Sequence, residues 1–347
     1  MIPPGDSWMQ QSSFLDFLRD WGASHPPELR YEPGGEFAAW RSALIGRIGE
    51  LLGPVPTRVK PTLEILSTEA CEGHVRHEVC IAVSEGVCVP AYLLVPDDLA
   101  AGERRPGVVA LHVHIAYGPQ TVAGLENDEL ADKPYRAVGL HAVRSGYVVV
   151  APSCWGWPGR DGHVSEVPAG RDKCNAIEIA AQMYGLNLLA LHLQDAQACL
   201  DLLARRPEVD GDRLGCIGNS TGGRMAMWLA ALDERVGACV AAGCMNTFRE
   251  RSLKLRACGI QYPPGLLRVA DVPEVFAAIA PRALQLQADY DDKILNRADI
   301  DAIHATVRSA YGDAGAADRL DFVAHEQGHR LVWDRAEAFL RRHLIGV

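Results

Sequence analysis

One stretch decides the fold class of this chain: Leu214-Gly215-Cys216-Ile217-Gly218-Asn219-Ser220-Thr221-Gly222-Gly223, followed by a helical pattern over 225–232. An apolar run, a turn with glycines around a serine, and a helix follow one another here. This is the context of a nucleophile elbow, in which a sharp strand-to-helix turn projects a serine hydroxyl into a cleft. Gly218 and Gly222 are expected because side chains there would collide with neighbouring segments. A purely structural turn is the alternative interpretation.

The composition and net charge of the chain argue against some classes of binding partner. The chain has 347 residues, of which 48% are hydrophobic and 22% charged, as is usual for a globular enzyme. Its formal net charge of -10 argues against nucleic acid or an anionic membrane as a partner, since both select a basic face. No apolar stretch approaches the ~20 residues that span a bilayer, and residues 1–11 lack the pattern of a signal peptide. We therefore expect a cytoplasmic protein.

The ten cysteines lie singly between Cys71 and Cys258, with no C-x-x-C motif. Four of them lie inside apolar runs: Cys80, Cys199, Cys216 and Cys239. This pattern predicts buried, reduced thiols and favours neither disulfides nor a metal site.

Apolar runs alternate with amphipathic helical patterns along most of the chain. Apolar residues three and four apart over 37–51 predict an N-terminal helical accessory segment within residues 1–60. From residue 74 a period of two predicts paired antiparallel edge strands. Six short apolar runs follow: 107–111, 147–151, 213–218, 236–242, 283–288 and 320–324. Separated by helices, they predict an α/β domain over 61–347, with a mainly parallel sheet covered on both faces.

Two connections are too long to be plain loops. They cover residues 153–183 and 244–281, and each is predicted to be a lid-like insertion or a pocket wall. In parallel sheets, ligands bind at the carboxyl ends of the strands, where both connections begin.

A serine nucleophile needs a histidine that accepts its proton and an acid that orients the histidine. After an elbow, the expected order is serine, acid, histidine. The chain has Asp289-Tyr290-Asp291-Asp292 after one strand and His325-Glu326-Gln327-Gly328-His329 after the last strand. Solvated loop carboxylates and a surface histidine are the alternative, but the joint occurrence at successive strand ends favours a catalytic group.

Three further motifs make a family resemblance specific. They are Cys258-Gly259-Ile260-Gln261-Tyr262-Pro263-Pro264-Gly265-Leu266-Leu267 with its continuation to residue 284, Arg213-Leu214-Gly215-Cys216-Ile217-Gly218, and Gly328-His329-Arg330. Together with the elbow, they resemble the dienelactone hydrolase and acetylxylan-esterase-like branch of the α/β-hydrolases over about residues 75–344. The resemblance implies the α/β-hydrolase fold and says little about the substrate.

Carried over by this resemblance, the nucleophile is Ser220, the base is His329 and the acid is Asp292. Asp292 matches the family pattern because Ile294-Leu295 follows it. Asp291 stays open as the alternative acid.

The oxyanion hole implied by the family uses the backbone N–H of Thr221 and a second N–H that falls on His114. The chain departs from the family here, with Ile115 and Ala116 where glycines are usual.

His112 and His114 also have the spacing of a metal pair on a strand end, but the sequence offers no third ligand with fitting spacing. Trp155 is predicted to line the substrate pocket, with packing under the long connection as the alternative. Arg224, Arg330 and Tyr262 are candidates for binding a carboxylate or a sugar hydroxyl, with a structural role favoured for each.

The sequence therefore predicts a serine hydrolase that cleaves a small-molecule carboxylic ester and needs no cofactor. Three alternatives stay open: an amide or carbon–carbon bond hydrolase on the same fold, a metal-dependent hydrolase using His112 and His114, and a binding protein without turnover. These patterns do not encode the acid and alcohol parts of the substrate. They also leave the oligomeric state open, with a homodimer as one option.

Overall fold

The computed structural model describes residues 13–161 and 172–346. Within these ranges nine strands form one sheet, in the order β1-β2-β3-β5-β4-β6-β7-β8-β9. The strands are β1 Leu63–Cys71, β2 His74–Ser84, β3 Val87–Pro96, β4 Arg105–Leu111, β5 Val148–Pro152, β6 Val209–Asn219, β7 Val236–Ala242, β8 Ala283–Asp289 and β9 Leu320–His325.

Twelve α-helices are described in the same ranges. They are α1 Phe14–Ser24, α2 Phe37–Leu52, α3 Pro119–Val122, α4 Asp128–Ala131, α5 Val138–Arg144, α6 Lys173–Met183, α7 Leu188–Leu203, α8 Thr221–Leu232, α9 Phe248–Leu253, α10 Val272–Ala277, α11 Arg297–Asp313 and α12 Trp333–Leu340.

The sheet is mostly parallel, as predicted. β5, β4, β6, β7, β8 and β9 pair in parallel, whereas β1, β2, β3 and β5 pair antiparallel. β1 is not predicted from the sequence, because most of its residues are exposed. An edge strand of this kind carries no apolar alternation that would reveal it.

Helices cover both faces of the sheet. Along β4, Val109 and Leu111 point into one core cluster, and Val108 and Ala110 point into the other. The first cluster contains residues of α2, α7, α8, α10 and α11, and the second contains residues of α5 and α12. Because side chains alternate across a strand, an apolar run buried on both sides needs helices on both sides.

The cysteine prediction is wrong at one pair. Cys80 on β2 and Cys88 on β3 form a disulfide, with their Cα atoms 5.8 Å apart. The two strands form a hairpin in which Cys80 lies opposite Pro90 and Cys88 opposite Ala82, so the cysteines are diagonal neighbours. Spacing along the chain does not reveal this proximity, because it depends on the hairpin register. Cys199, Cys216 and Cys239 are buried free thiols, as predicted.

Among the described residues, no single helix has both the length and the apolar character needed to cross a membrane. The helices α6 and α7, which are bent by 97° relative to each other, reach the required length and apolar character only when they are taken together.

Candidate active site

Ser220 lies in the turn between β6 and α8, with a positive φ of 56°. Its backbone N–H donates to Ala242 O at 2.8 Å, which joins the turn to the end of β7. A Cβ on Gly218 would lie 2.2 Å from the carbonyl carbon of Gly222, and a Cβ on Gly222 would lie 2.1 Å from Leu111 O. Both glycines are therefore needed for close backbone approach, and the strained serine has the conformation expected of an elbow.

His329 and Asp292 meet at the carboxyl end of the sheet. His329 Nδ1–H donates to Asp292 Oδ2 at 2.5 Å, so Nε2 is the acceptor nitrogen of the neutral ring. The Asp292 side chain is buried, and its other oxygen accepts the Ile294 N–H at 2.8 Å. Asp291 is exposed, although it is the next residue. The contact with His329 thus belongs to Asp292.

His329 also lies close to the serine turn. A Cβ on Gly243 would lie 3.1 Å from His329 Cε1, and Gly243 follows the Ala242 carbonyl that binds the Ser220 amide. Asn219 Nδ2 donates to His329 O at 3.5 Å. No hydrogen bond between Ser220 Oγ and His329 occurs in the described part of the chain.

Asp289 is a positioning residue that the sequence analysis did not single out. Its Oδ1 accepts the Asp291 N–H at 2.7 Å, and its Oδ2 accepts the Gly328 N–H at 2.5 Å. One carboxylate at the end of β8 therefore connects the loop of Asp292 with the loop of His329. Burial works to raise the pKa of Asp289, but these two amide hydrogen bonds outweigh it and leave the pKa below its ordinary value.

A pocket of about 370 Å³ opens over Ser220. Both long connections contribute to its wall: Asp172 and Asn175 come from the first, and residues between 246 and 261 come from the second. Residues 162–171 of the first predicted insertion lie outside the described residues. The lining residues are His114, Asp172, Asn175, Ser220, Thr221, Arg224, Gly243, Cys244, Asn246, Arg251, Leu255, Arg256, Ala257, Cys258, Gln261 and Ile294.

Thr221 and His114, the two residues predicted to form an oxyanion hole, both line this pocket. The close approach of Gly222 to Leu111 O brings the start of α8 against the end of β4, three residues before His114. Gln261 Nε2 donates to Thr221 Oγ1 at 3.1 Å, and Trp228 Nε1 donates to Gln261 O at 2.8 Å. The second connection is thereby attached to the elbow helix. In the sequence, Gln261 stands out only as part of a family motif.

His112 does not pair with His114 in the way the metal alternative requires. Its Nδ1–H donates to Val113 O at 2.9 Å, and its Nε2 accepts the Cys154 N–H at 3.2 Å. Both ring nitrogens are therefore engaged, and burial lowers the pKa of His112 to about 4. The ring is a neutral, structural one.

A different group surrounds His114. Its Nε2 lies 2.9 Å from Cys174 Sγ, and the potential ligand atoms of His114, Cys174 and Cys258 all lie within 4.8 Å of one another. The Cys174 thiol and then the His114 ring hold the pKa of Cys258 below its usual range. Sequence reasoning missed both cysteines because 60 residues separate Cys174 from His114 and the fold alone joins them.

The basic side chains of the pocket favour an anionic ligand. Arg224, Arg251 and Arg256 line it, against the single carboxylate of Asp172. Arg224 is buried, its Nη2 donates to Asn246 O at 2.5 Å, and burial lowers its pKa to about 10.

The other predicted pocket residues lie elsewhere in the described structure. Trp155 is not part of this lining: its ring packs under the Arg160 guanidinium at 3.7 Å and joins a small cluster with Trp157. The packing alternative therefore fits its surroundings. Arg330 lies over the Tyr135 ring, and Tyr262 packs against Phe248.

Comparison with known proteins agrees with this architecture. Residues 91–254 match the dienelactone hydrolase family. The Bacillus subtilis (strain 168) protein YtaP, which is named as a hydrolase, is 27% identical over 307 residues, covering 85% of this chain and 96% of YtaP.

Solved structures share the fold at low identity. A Bacteroides fragilis protein named as an acetyl xylan esterase superposes with a TM-score of 0.73 at 18% identity, covering 90% of this chain and 82% of its own. A glucuronoyl esterase from Solibacter usitatus superposes with a TM-score of 0.66 at 16% identity, covering 92% and 97%. These matches agree with the predicted resemblance: the chain has the α/β-hydrolase fold, and its residues 91–254 match the dienelactone hydrolase family.

Proposed function

We propose that this protein is a serine esterase in which Ser220 is the nucleophile, His329 the base and Asp292 the orienting acid. The observation that carries the proposal is the 2.5 Å hydrogen bond from His329 Nδ1 to a buried Asp292 carboxylate, beside a pocket whose wall includes Ser220 on a positive-φ turn. A buried carboxylate bound to one ring nitrogen leaves the other nitrogen free to accept a proton.

The reaction follows from these positions. Ser220 Oγ attacks the ester carbonyl carbon while His329 Nε2 takes the hydroxyl proton, and Asp292 stabilises the imidazolium that forms. The backbone amides of Thr221 and His114 stabilise the carbonyl oxygen as it becomes negative. His329 then donates its proton to the leaving alcohol, and an acyl group stays on Ser220. Water then attacks this acyl group while His329 takes its proton, and His329 returns the proton to Ser220 Oγ as the acid is released.

The substrate is proposed to be a carboxylic ester with a negative charge near the scissile bond, because three arginines and one aspartate line the pocket. Esterase activity also agrees with the named activities of the solved neighbours, the acetyl xylan and glucuronoyl esterases. An amide or carbon–carbon substrate stays the alternative, because the same catalytic group serves several scissile bonds.

A fluorophosphonate probe tests the nucleophile, because only an activated serine attacks its phosphorus. We expect peptide mapping to find the label on Ser220, and Ser220→Ala to lose both the label and ester turnover. A label on another serine, or turnover unchanged in the variant, would contradict the assignment. Matched ester and amide substrates, each made with and without a carboxylate, separate the alternatives, and the expected preference is for the anionic ester.

A further inference from the structure

Three side chains that have no role in the proposed reaction converge at the pocket wall. His114 comes from the loop after β4, Cys174 from the first turn of α6, and Cys258 from the second long connection. Their nitrogen and sulfur atoms all lie within 4.8 Å of one another, and Cys174 is buried. Three unconnected segments thus present an imidazole and two thiols to one point.

We propose that His114, Cys174 and Cys258 bind one divalent transition-metal ion of the zinc type. Imidazole and thiolate are the preferred ligands of zinc, and thiolates select against magnesium and calcium. Both cysteines bind the ion as thiolates, and any thiol proton lost on binding goes to solvent. Three protein ligands leave one coordination position, and His114 and Cys258 both line the pocket over Ser220. A water or an anionic ligand group from the pocket completes the coordination.

The two cysteine segments are held together independently of their thiols. Asn175, next to Cys174, accepts the backbone N–H of Gly259, next to Cys258, at 2.7 Å. A Cβ on Gly259 would lie 2.8 Å from Glu178 Cγ, so the glycine allows the close approach of the two segments. The site is therefore pre-organised before an ion binds, which favours affinity.

The His114 segment is also fixed by a neighbour. The Trp157 ring packs edge-on against His114, with 5.3 Å between ring centroids, and Trp157 Nε1 donates to Ile115 O at 2.6 Å. Residues of this kind, which orient ligands without touching the ion, contribute to metal affinity. A bound ion would join three segments of the pocket wall, while the proposed ester hydrolysis itself needs only protein groups.

Cobalt(II) binding to the reduced, metal-stripped full chain tests the proposal without reference to activity. We expect one cobalt per chain, a thiolate-to-cobalt charge-transfer band, displacement by zinc, and a higher midpoint of thermal unfolding in the presence of zinc. Cys174→Ser, Cys258→Ser and His114→Gln should each lose tight binding. Cys244→Ser, which removes a buried thiol from the same pocket but not from the cluster, should keep the band.

Asn175→Ala keeps all three ligands, and we expect it to weaken cobalt affinity at least about tenfold because the two cysteine segments lose their connection. Circular dichroism verifies the fold of each variant. The proposal would be overturned if Cys174→Ser and Cys258→Ser bound cobalt as the wild type does, or if the reduced wild type showed no band. It would also be overturned if a Cys174–Cys258 disulfide persisted under reducing conditions in place of metal binding.

Discussion

Asp291 and Asp292 are neighbours in the chain but have opposite surroundings. Asp292 is buried and accepts the His329 Nδ1–H, whereas Asp291 is exposed and its backbone N–H donates to Asp289. The difference arises from the turn after β8, in which Asp289 Oδ1 holds the Asp291 amide and Asp292 Oδ1 holds the Ile294 amide. At the residue scale, one position along this turn therefore decides which carboxylate can orient the base.

Asn substitutions separate the two carboxylates. We expect Asp292→Asn to keep the fold and to lower kcat about 10⁴-fold, the value the analogous change produces in the Ser-His-Asp triad of serine proteases, because an amide favours the wrong histidine tautomer. Asp291→Asn should change kcat little, since a solvated carboxylate makes a small contribution. Steady-state kinetics on one ester measures both. If Asp291→Asn were inactive and Asp292→Asn active, our assignment of the acid would be wrong.

At the element scale, the elbow depends on how closely α8 approaches β4. The Cα of Gly222 faces the carbonyl oxygen of Leu111, and there is no space for a side chain between them. The same contact sets the position of the Thr221 amide, which the proposed mechanism uses for the oxyanion. Stability and catalysis are thus linked through a single glycine.

Alanine at Gly222 tests this link. A Cβ would lie 2.1 Å from Leu111 O, so the backbone must move, and we expect the free energy of unfolding to fall by about 3 kcal/mol. Gly46→Ala is the control, because Gly46 lies on α2 with nothing within 4 Å of its Cβ position and should gain about 0.5–1 kcal/mol. Urea unfolding measures both variants. Equal stability of Gly222→Ala and wild type would contradict the close approach.

At the scale of the whole molecule, the first long connection is attached to the core by polar groups that are buried with it. Trp155 N–H donates to His192 Nε2 at 3.0 Å, and Arg160 forms a buried ion pair with Asp195 on the same helix, α7. Burial, with the nearby Arg160 charge, lowers the pKa of His192 from 6.5 to about 3. The folded protein therefore keeps this ring neutral at pH values where the unfolded chain protonates it.

This pKa shift predicts acid sensitivity. As the pH falls below about 6.5, the unfolded chain takes up the His192 proton first, so the free energy of unfolding decreases by about 2 kcal/mol between pH 7 and pH 5 from this residue. His192→Gln keeps an acceptor for the Trp155 amide but does not titrate, and we expect a correspondingly flatter pH profile.

Urea unfolding at both pH values measures the difference between the two proteins. That difference is the relevant quantity, because Asp195 also titrates in both proteins. Burial raises the pKa of Asp195 to about 6, so this residue increases the free energy of unfolding as the pH falls, which is opposite to the effect of His192. Parallel profiles for wild type and His192→Gln would contradict the prediction.

By itself, the sequence determined the local structure around Ser220 and the order of the elements. Strand, turn and helix depend on residues close together in the chain, and the apolar period revealed all strands except the exposed β1. The placement of Ser220, Asp292 and His329 after three different strands, β6, β8 and β9, also follows from the sequence, because the carboxyl ends of parallel strands meet at one edge.

Only the tertiary structure decided which distant residues touch. The hairpin register brings Cys80 to Cys88, the turn held by Asp289 gives the His329 contact to Asp292, and the packing of two long connections joins His114 to Cys174 and Cys258. The sequence also predicts Trp155 in the pocket, whereas the structure packs it against Arg160 and outside the pocket lining. Proximity between distant residues depends on loop paths and packing, which leave no period or spacing in the sequence.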